Sequence, residues 1–407
     1  MKLNNPLPLD SDQWTKLRAY RLARVQEALK ARSLGAIIVF DPCNIRYATG
    51  SRNMAVWTLH NHVRYAFVPA EGLPTVFEFA AGRWETETHL LETVGEVRPP
   101  QSWTHFYSGS KKYAHAAAWA DEIQSLLQEF AGNDQSLAFD HLDPPGADEL
   151  RKRGIEIVDG EPVMEHARLI KSDEELTCIR HALDVAMIGM HSMRELLAPG
   201  MTENQLWSLL HQANISHNGE WIETRLLSSG YRTNPWMQES SDKVIEAGEL
   251  VAFDTDMIGP NGYCADVSRT FLCGGSSASD EQRRLYQTAF EQIHHNVSQV
   301  APGRTLHDLS ENEWPFPEEF LPYRYGVAHG VGLKDEYPFI VNAHDIDHLS
   351  DPEQTLLPGM VLSFESYIGA VGGHEGVKLE EQIVVTDNGY ELLAEFPFED
   401  RLLSNEV

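Results

Sequence analysis

The chain has 407 residues, of which 61 are acidic and 32 basic, giving a formal charge of −29 at pH 7. This surplus of negative charge disfavours nucleic acid and anionic membranes as partners and is compatible with cationic or zwitterionic ligands, although a well-solvated acidic surface gives the same charge. Hydrophobic residues make up 42% of the chain and charged residues 23%, the composition of a globular protein long enough for two domains.

The cysteines and the amino terminus bear on the cellular compartment. The four cysteines, at positions 43, 178, 264 and 273, form no CxxC pair and are too few for a disulfide framework in a chain of this length. No apolar run reaches the length of a membrane span, and the opening MKLNNPLPLDSDQW lacks the apolar core of a secretion signal. We therefore expect reduced thiols, a cytoplasmic location and no membrane partner.

Helical and extended patterns alternate over the first 160 residues. Apolar positions recur at helical spacing over residues 14–33, which predicts an amphipathic helix. A buried strand is predicted over residues 35–40, ending in a turn at Asp41-Pro42, and another helix over residues 114–130. Further strands are predicted at RYAFVPA, TVFEFA and SLAFD. This alternation predicts a first α/β domain over residues 1–160.

A second domain is predicted over residues 161–407. Its first long helix opens at RLIKSDEEL, where Ser172 and Glu175 have the spacing of a capping box. Another helix is predicted over residues 202–216. Short apolar strands and glycine turns then predominate, interrupted by helices over residues 280–300 and from Thr305 onward.

Six side chains of the second domain occur in an order that suits the binding of two metal ions. Hard divalent cations prefer carboxylate oxygens together with an imidazole, and two ions share a site when several carboxylates offset their charge. Each candidate lies in a run of β-branched, apolar or glycine residues, where burying an unpaired charge is costly. For any single acid, a surface or helix-capping carboxylate is the alternative. The candidates are Asp254, Asp256, Asp266, His329, Glu365 and Glu380.

This order of ligands resembles that of the pita-bread metalloenzymes, the superfamily of creatinase, prolidase and methionine aminopeptidase. The resemblance extends over the whole chain, through RLIKSDEEL, HGVG, PGMVLSFE and GVKLEEQIVV. It implies a creatinase-like α/β N-terminal domain and an α+β pita-bread C-terminal catalytic domain. Thr255 stands where the family spacing places the first aspartate, so Asp254 and Asp256 are both candidate ligands.

A second departure from the peptidases lies in HGVGLKDEYP. Peptidases of the superfamily place a histidine after the ligand histidine, where it steadies the peptide and the tetrahedral intermediate; this segment is one residue shorter and offers Asp335. An ionised aspartate cannot donate a proton, so Asp335 suits a general base better than an oxyanion partner. The departure argues against amide hydrolysis. The alternative is a solvated loop acid, or an ion pair of Asp335 with Lys334 or Lys378.

Several segments are similar to one branch of the superfamily, the DddP-type dimethylsulfoniopropionate lyases. They include FDPCNIRYATGSRNMAVWTLHN, GEWIETRLLSSGYRTNPWMQE and FDTDMIGPNGYCADVSRTF. This resemblance implies cleavage of dimethylsulfoniopropionate to dimethyl sulfide and acrylate with two divalent ions, iron first, and manganese, zinc or cobalt as alternatives. It also implies the six ligands above, with Asp335 as the base of a β-elimination. Trp57 and Tyr325 would contact the substrate, with Tyr323 as the alternative to Tyr325.

Aromatic side chains are the expected binding partners of a sulfonium cation. Trp57 is the one predicted to face the substrate, while most rings of these segments are expected to pack in the core or an interface. Because Trp57 lies in the first domain and the ligands lie in the second, the site would be assembled across a domain or subunit interface, which favours a homodimer. The other rings of this pool are His60, Tyr65, Trp221, Tyr231 and Trp236.

Two other classes of function are alternatives to a metal-dependent carbon–sulfur lyase. A C–N hydrolase of the same fold, such as a Xaa-Pro dipeptidase or a creatinase-like or ectoine hydrolase-like enzyme, keeps the metals but requires a proton donor where this chain has Asp335. A non-catalytic binding module would lose metal ligands, whereas this sequence contains the full candidate set. The expected partner is a small zwitterionic sulfonium substrate.

Overall fold

The computed structural model of the chain describes residues 8–79, 86–132, 135–275 and 277–403. It contains two compact units, one over residues 10–168 and one that comprises residues 169–403 together with residues 8 and 9. The boundary predicted from the sequence, after residue 160, precedes the helix Glu161–Arg168, which belongs to the first unit. Among the helices of the described ranges, none combines the length and the apolar character needed to cross a bilayer.

The described strands of the first unit form one mixed sheet of six strands, in the order β4-β3-β2-β1-β5-β6. The strands are β1 (Ala36–Val39), β2 (Tyr65–Pro69), β3 (Thr75–Phe77), β4 (Glu96–Arg98), β5 (Ser136–Phe139) and β6 (Glu156–Asp159). The helices are α1 (Ser11–Ala31), α2 (Pro42–Thr49), α3 (Ala55–His60), α4 (His105–Ser108), α5 (Lys112–Ala131), α6 (Pro144–Lys152) and α7 (Glu161–Arg168). Short 3₁₀ helices occur at Glu87–Leu90 and Gly109–Lys111.

The central strand β1 is buried along its whole length, as its uninterrupted apolar sequence predicts. Ile38 of β1 shares a core with Trp119 and Ile123 of α5. The turn predicted at Asp41-Pro42 is wrong, because this pair begins α2. Asp41 is the N-cap and accepts a hydrogen bond from the amide of Cys43, and Pro42 occupies the first turn, a pairing that suits a helix start as well as a turn.

The predicted strands of the first unit correspond to β1, β2, β3 and β5, whereas β4 and β6 were not predicted. The last residue of the predicted strand TVFEFA, Ala80, lies outside the described residues. Strands β4 and β6 are the edges of the sheet, and none of their residues is fully buried. A short edge strand buries little apolar surface, so its sequence carries only a weak pattern.

In the described ranges, the second unit has four α-helices and three sheets. The helices are α8 (Asp173–Leu196), α9 (Glu203–Ser216), α10 (Asp280–Ser298) and α11 (Leu306–Glu311). The strands are β7 (Trp221–Ile222), β8 (Leu227–Ser229), β9 (Leu250–Asp254), β10 (Met257–Ile258), β11 (Cys264–Ala265), β12 (Ser268–Leu272), β13 (Ala328–Val331), β14 (Asp335–Ile340), β15 (Val361–Ile368), β16 (Val377–Thr386) and β17 (Gly389–Leu392). The sheet orders are β11-β10-β7, β12-β9-β8 and β14-β13-β15-β16-β17. Short 3₁₀ helices occur at Gly230–Thr233, Pro260–Gly262, Glu318–Tyr323 and Ala343–His348.

The predicted capping box begins α8. The Ser172 hydroxyl accepts a hydrogen bond from the amide of Glu175, and the Glu175 carboxylate accepts one from the amide of Ser172. The helices predicted over residues 202–216 and 280–300 correspond to α9 and α10. Local spacing and capping residues therefore predicted the helices of this unit well.

Helix α10 packs on the five-stranded sheet of the second unit. Ile293 of α10 shares a core with Phe364 of β15 and Leu379 of β16. Successive side chains of a strand project to opposite faces. Glu365 and Glu380, the next residues along these two strands, therefore project from the face that α10 does not cover.

Candidate metal centre

The six predicted ligands come together at one place in the second unit, and each of them is at most 9% exposed. They lie on or next to five strands of the second unit, so residues more than 100 positions apart in sequence become neighbours. The register of the sheets, rather than local sequence, brings them together. Asp254 ends β9, Asp256 follows it, Asp266 precedes β12, His329 lies on β13, Glu365 on β15 and Glu380 on β16.

The strand register places two acids directly opposite each other. Glu365 of β15 pairs with Glu380 of β16 in an antiparallel ladder. Like charges in this position repel, and burial strengthens the repulsion because little water is present to screen it. A cation between the two strands removes this penalty.

The candidate ligand atoms fall into two groups, and within each group they lie within 4.8 Å of one another. The first group contains Asp254, Asp256 and Asp266, an all-carboxylate set that suits a hard divalent ion. The second contains His329, Glu365 and Glu380, and its single imidazole suits manganese, iron, cobalt or zinc. The geometry therefore has the donors for two neighbouring ions.

Several buried carboxylate oxygens of these groups accept no hydrogen bond from any residue in the described ranges. They are Oδ1 of Asp254, both side-chain oxygens of Asp266 and Oε1 of Glu380. A buried carboxylate oxygen without a partner costs on the order of 1–3 kcal/mol or more. Metal ions would supply the missing partners, so the residues present fit a two-metal centre.

His329 is oriented for metal binding through one ring nitrogen. Its Nδ1 lies 3.1 Å from the carbonyl oxygen of Gly330 and donates a hydrogen bond to it, which leaves Nε2 with the lone pair. Nε2 lies 3.3 Å from Oε1 of Glu365 and 3.4 Å from Oδ2 of Asp266. Without a metal ion, burial opposes a charge on His329, but Glu365 and Asp335 outweigh it and raise the pKa of His329 to about 9.

Lys378 is fully buried among the same carboxylates. Its ammonium group lies 3.1 Å from Oδ2 of Asp254 and 3.1 Å from Oε2 of Glu380, and it also contacts Glu365. Burial lowers the pKa of Lys378, but these three carboxylates raise it well above its usual value. With two divalent ions bound, the charge of the five ionised carboxylates would be balanced by these ions and the Lys378 ammonium group. The sequence suggests Lys378 only as an ion-pair partner of Asp335, whereas in the structure it contacts three of the candidate ligands.

Asp335, the predicted base, lies at the start of β14 beside the ligands. Its side chain is 65% exposed, and Oδ1 lies 3.9 Å from Nδ1 of His329. Although one side of the carboxyl is open to solvent, the surrounding protein partly buries it, and this burial raises the pKa of Asp335. His329 lowers this pKa, whereas the charges of Asp254 and Glu365 raise it further. Asp335 also groups with Asp266 and His329 as a possible ligand set. Its position is compatible with access to a substrate from solvent.

Aromatic side chains border the carboxylates. Tyr325 is half-buried, and burial followed by the charge of Glu365 raises the pKa of its phenol. Tyr323 packs with it against a small cluster that contains Trp236 and Tyr367. The Lys378 ammonium nitrogen lies over the Trp236 ring, 5.9 Å from the ring centroid. No feature of the sequence separates Trp236 from the other rings of the aromatic pool.

Trp57 lies on the short helix α3 of the first unit. It is half-buried, and its ring meets that of Phe79 edge-on at a centroid distance of 5.4 Å. Neighbouring apolar side chains Met54, Val56 and Leu59 are exposed. Trp57 is therefore not part of the unit's core, in contrast to Tyr65, which is fully buried.

Comparison with known proteins identifies the relatives of both units. Residues 177–387 match the model of metallopeptidase family M24, and residues 21–170 match that of the creatinase/prolidase N-terminal domain. The chain is 38% identical over 394 residues to the dimethylsulfoniopropionate lyase DddP of Roseovarius nubinhibens, covering 95% of this chain and 88% of the relative. It is 36% identical over 405 residues to the dimethylsulfoniopropionate lyase DddP of Roseobacter denitrificans, covering 98% and 90%.

Among solved structures, the Xaa-Pro dipeptidase from Bacillus anthracis has a TM-score of 0.74 to this chain at 21% identity. The match covers 94% of this chain and 99% of the dipeptidase. At this level of identity the likeness establishes a shared fold and nothing about the substrate. The expected fold class, a creatinase-like α/β domain followed by a pita-bread domain, is confirmed.

Proposed function

The chain belongs to metallopeptidase family M24, and we propose that it is a metal-dependent carbon–sulfur lyase that cleaves dimethylsulfoniopropionate to dimethyl sulfide and acrylate. The observation that carries the proposal is the 38% identity to a dimethylsulfoniopropionate lyase over 95% of the chain. The likeness to dipeptidases, at 21% identity, extends to the fold alone.

The proposed reaction is a β-elimination that uses Asp335 as the base. The two metal ions, when bound, would act as Lewis acids on the substrate carboxylate and acidify the adjacent C–H bond. Asp335 takes the proton from this carbon, the electron pair forms the carbon–carbon double bond, and the carbon–sulfur bond breaks. Dimethyl sulfide leaves as a neutral molecule, so the leaving group requires no proton donor. The exposure of Asp335 beside the ligands supports this role.

We propose iron for the two divalent ions, with manganese, zinc and cobalt as alternatives. The ligands would be Asp254, Asp256, Asp266, His329, Glu365 and Glu380. Their buried oxygens without hydrogen-bond partners support the assignment. A set of carboxylates with a single imidazole is compatible with all four metals, and cellular supply decides among them.

Trp57 and Tyr325 are proposed to contact the sulfonium substrate, Trp57 from a second copy of the chain in a homodimer. Tyr325 is supported by its position beside Glu365. Trp57 is supported by its half-buried ring, and a homodimer by the exposed apolar side chains that surround it, Met54, Val56 and Leu59. Apolar side chains clustered at a surface indicate contact with another molecule.

A cytoplasmic location is also proposed. All four cysteines lie in the described part of the chain, where they are buried and form no disulfide. Thiols persist in this state in a reducing compartment.

A C–N hydrolase is the second candidate, because the fold likeness includes dipeptidases. It requires a proton donor near the scissile bond, a role that an ionised Asp335 does not fill. A non-catalytic module is disfavoured, since the six candidate ligands converge in a buried site with unpartnered oxygens.

The test is to supply the purified protein with dimethylsulfoniopropionate and, separately, with Xaa-Pro dipeptides. We expect dimethyl sulfide in the headspace by gas chromatography, acrylate in solution and no free proline. His329→Ala and Glu365→Ala should lose bound metal and dimethyl sulfide release together, because a centre that lacks one ligand leaves charge uncompensated. His307→Ala, a change at a partly exposed histidine outside the candidate centre, is the control. Proline release without dimethyl sulfide would refute the lyase assignment.

A further inference from the structure

A second set of metal-ligating side chains lies in the first unit, among residues that the proposed reaction does not use. It consists of His62, His141 and Asp143, each of which offers one ligand atom, and these three atoms lie within 4.8 Å of one another. The two imidazole rings are in contact, with centroids 3.9 Å apart and planes at 54°. Nε2 of His141 lies 3.8 Å from Oδ1 of Asp143.

The sheet register explains why these residues meet. The end of β1 pairs with the start of β2, with Val39 opposite Ala66, and with the end of β5, with Ile38 opposite Phe139. The segment that enters β2 and the segment that leaves β5 therefore lie at the same end of the strands. His62 is on the first segment, and His141 and Asp143 are on the second. This end of the sheet contains the carboxyl ends of the parallel strands β1 and β5, where ligands of α/β sheets commonly bind.

Asp143 is free to act as a ligand. It occupies the N-cap position of α6, yet its side chain makes no capping hydrogen bond. Its neighbour Asp140, in contrast, accepts hydrogen bonds from the amides of Phe40 and Asp41 and from the side chain of Asn44. Asp140 thus makes the hydrogen bonds that hold the chain at this end of the sheet. Asp143 makes no capping hydrogen bond, and its carboxylate faces the two imidazoles.

His62 is half-buried, and its imidazole lies against that of His141. Neutral imidazole nitrogens coordinate a metal ion, so a cation shared by the two rings would give one nitrogen of each ring a partner.

We propose that His62, His141 and Asp143 bind one borderline divalent cation of the zinc class. Two imidazoles and one carboxylate are a common set for zinc, nickel(II) and copper(II), whereas calcium and magnesium favour oxygen alone. With bonds of about 2.0–2.2 Å, tetrahedral zinc requires donors roughly 3.3–3.6 Å apart. His141, which is exposed, can turn inward to reach this spacing. The fourth position remains for water.

The bound ion would link the two segments at this end of the sheet of the first unit. One segment follows α3, which carries Trp57, and the other precedes α6. Any ligand that binds the folded protein and not the unfolded chain stabilises the fold. The ion is therefore expected to raise the thermal stability of the first unit, independently of the ions in the second unit.

The experiment uses the full chain stripped of metal and titrated with zinc. The stoichiometry is measured by equilibrium dialysis, and the location by zinc anomalous diffraction. His141→Gln and Asp143→Asn should each lose one equivalent, or bind it at least tenfold more weakly, and lose the anomalous peak between the three side chains. His105→Gln, at an exposed histidine of the same unit, should retain both.

Two results would overturn the proposal. One is the absence of an anomalous peak at the three side chains in the wild-type protein. The other is an unchanged zinc stoichiometry and affinity in both His141→Gln and Asp143→Asn. Because Asp143→Asn preserves the shape of the side chain, folding failure is not expected to obscure the answer, and circular dichroism of each variant verifies it.

Discussion

Replacing Lys378 with methionine should destabilise the metal-free protein by about 3–5 kcal/mol, the cost of removing one partner of a buried ion pair. The Lys378 ammonium contacts Asp254, Glu365 and Glu380, all of them buried. Three carboxylates lose their partner at once, so the upper half of this range is expected. Methionine is similar in length and volume, which keeps any cavity term small.

The assays are urea unfolding, which gives the free energy of unfolding, and thermal unfolding, which gives Tm, of the metal-stripped variant and wild type, both repeated after loading with manganese or iron. For a unit of this size a loss of 1 kcal/mol lowers Tm by roughly 2–4 °C, so a decrease on the order of 6–20 °C is expected without metal. With metal bound, the carboxylates have another source of positive charge, and the loss should be smaller.

Arg180→Met is the matched control in the same unit. Arg180 pairs with Glu391 at the surface, where the two side chains are 39% and 54% exposed, and an exposed pair contributes about 0–1 kcal/mol. If Lys378→Met changes the metal-free protein no more than this control does, Lys378 is not the group that balances the carboxylates, and the charge accounting of the centre is wrong.

Three further changes test other parts of the molecule. Asp335→Asn should keep bound metal but lower turnover by about 10²–10⁴, the effect of a general base; retention of more than a third of the activity would leave Asp335 as a loop acid. Trp57→Ala should raise KM by the equivalent of up to about 2 kcal/mol, with recovery in Trp57→Phe, whereas an unchanged KM with a collapsed Tm would indicate a packing role. Burial raises the pKa of Glu313 to about 7, so the folded protein binds a proton at Glu313 more tightly than the unfolded chain does. The stability of the wild type should therefore rise as pH falls from 8 to 5, and Glu313→Gln should lose this pH dependence. Parallel pH profiles of stability for the two proteins in urea unfolding would contradict this prediction.

The sequence by itself determined several long helices and the candidate ligands. Helices α1, α5 and α8 follow from apolar spacing and, at Ser172, from a capping box, because both depend on residues three or four apart. The six candidate ligands could be selected because acids in apolar, strand-forming runs are costly to bury without a cation. The family relationship, now supported by matches to both units, was visible in the same motifs.

The tertiary structure decided which side chains meet across the sheets. Lys378 and Glu380 are two residues apart on β16, so alternation along the strand predicts a shared face, but only the pairing of β16 with β15 aligns Glu380 with Glu365. The three residues His62, His141 and Asp143 likewise come together through the pairing of β1 with β2 and β5. Helical contacts recur within a few residues and leave a periodic pattern in the sequence. Strand register brings together residues far apart in the chain, and it does so through backbone hydrogen bonds. Because most residue types form these bonds equally well, a single sequence contains no comparable pattern that reveals the register.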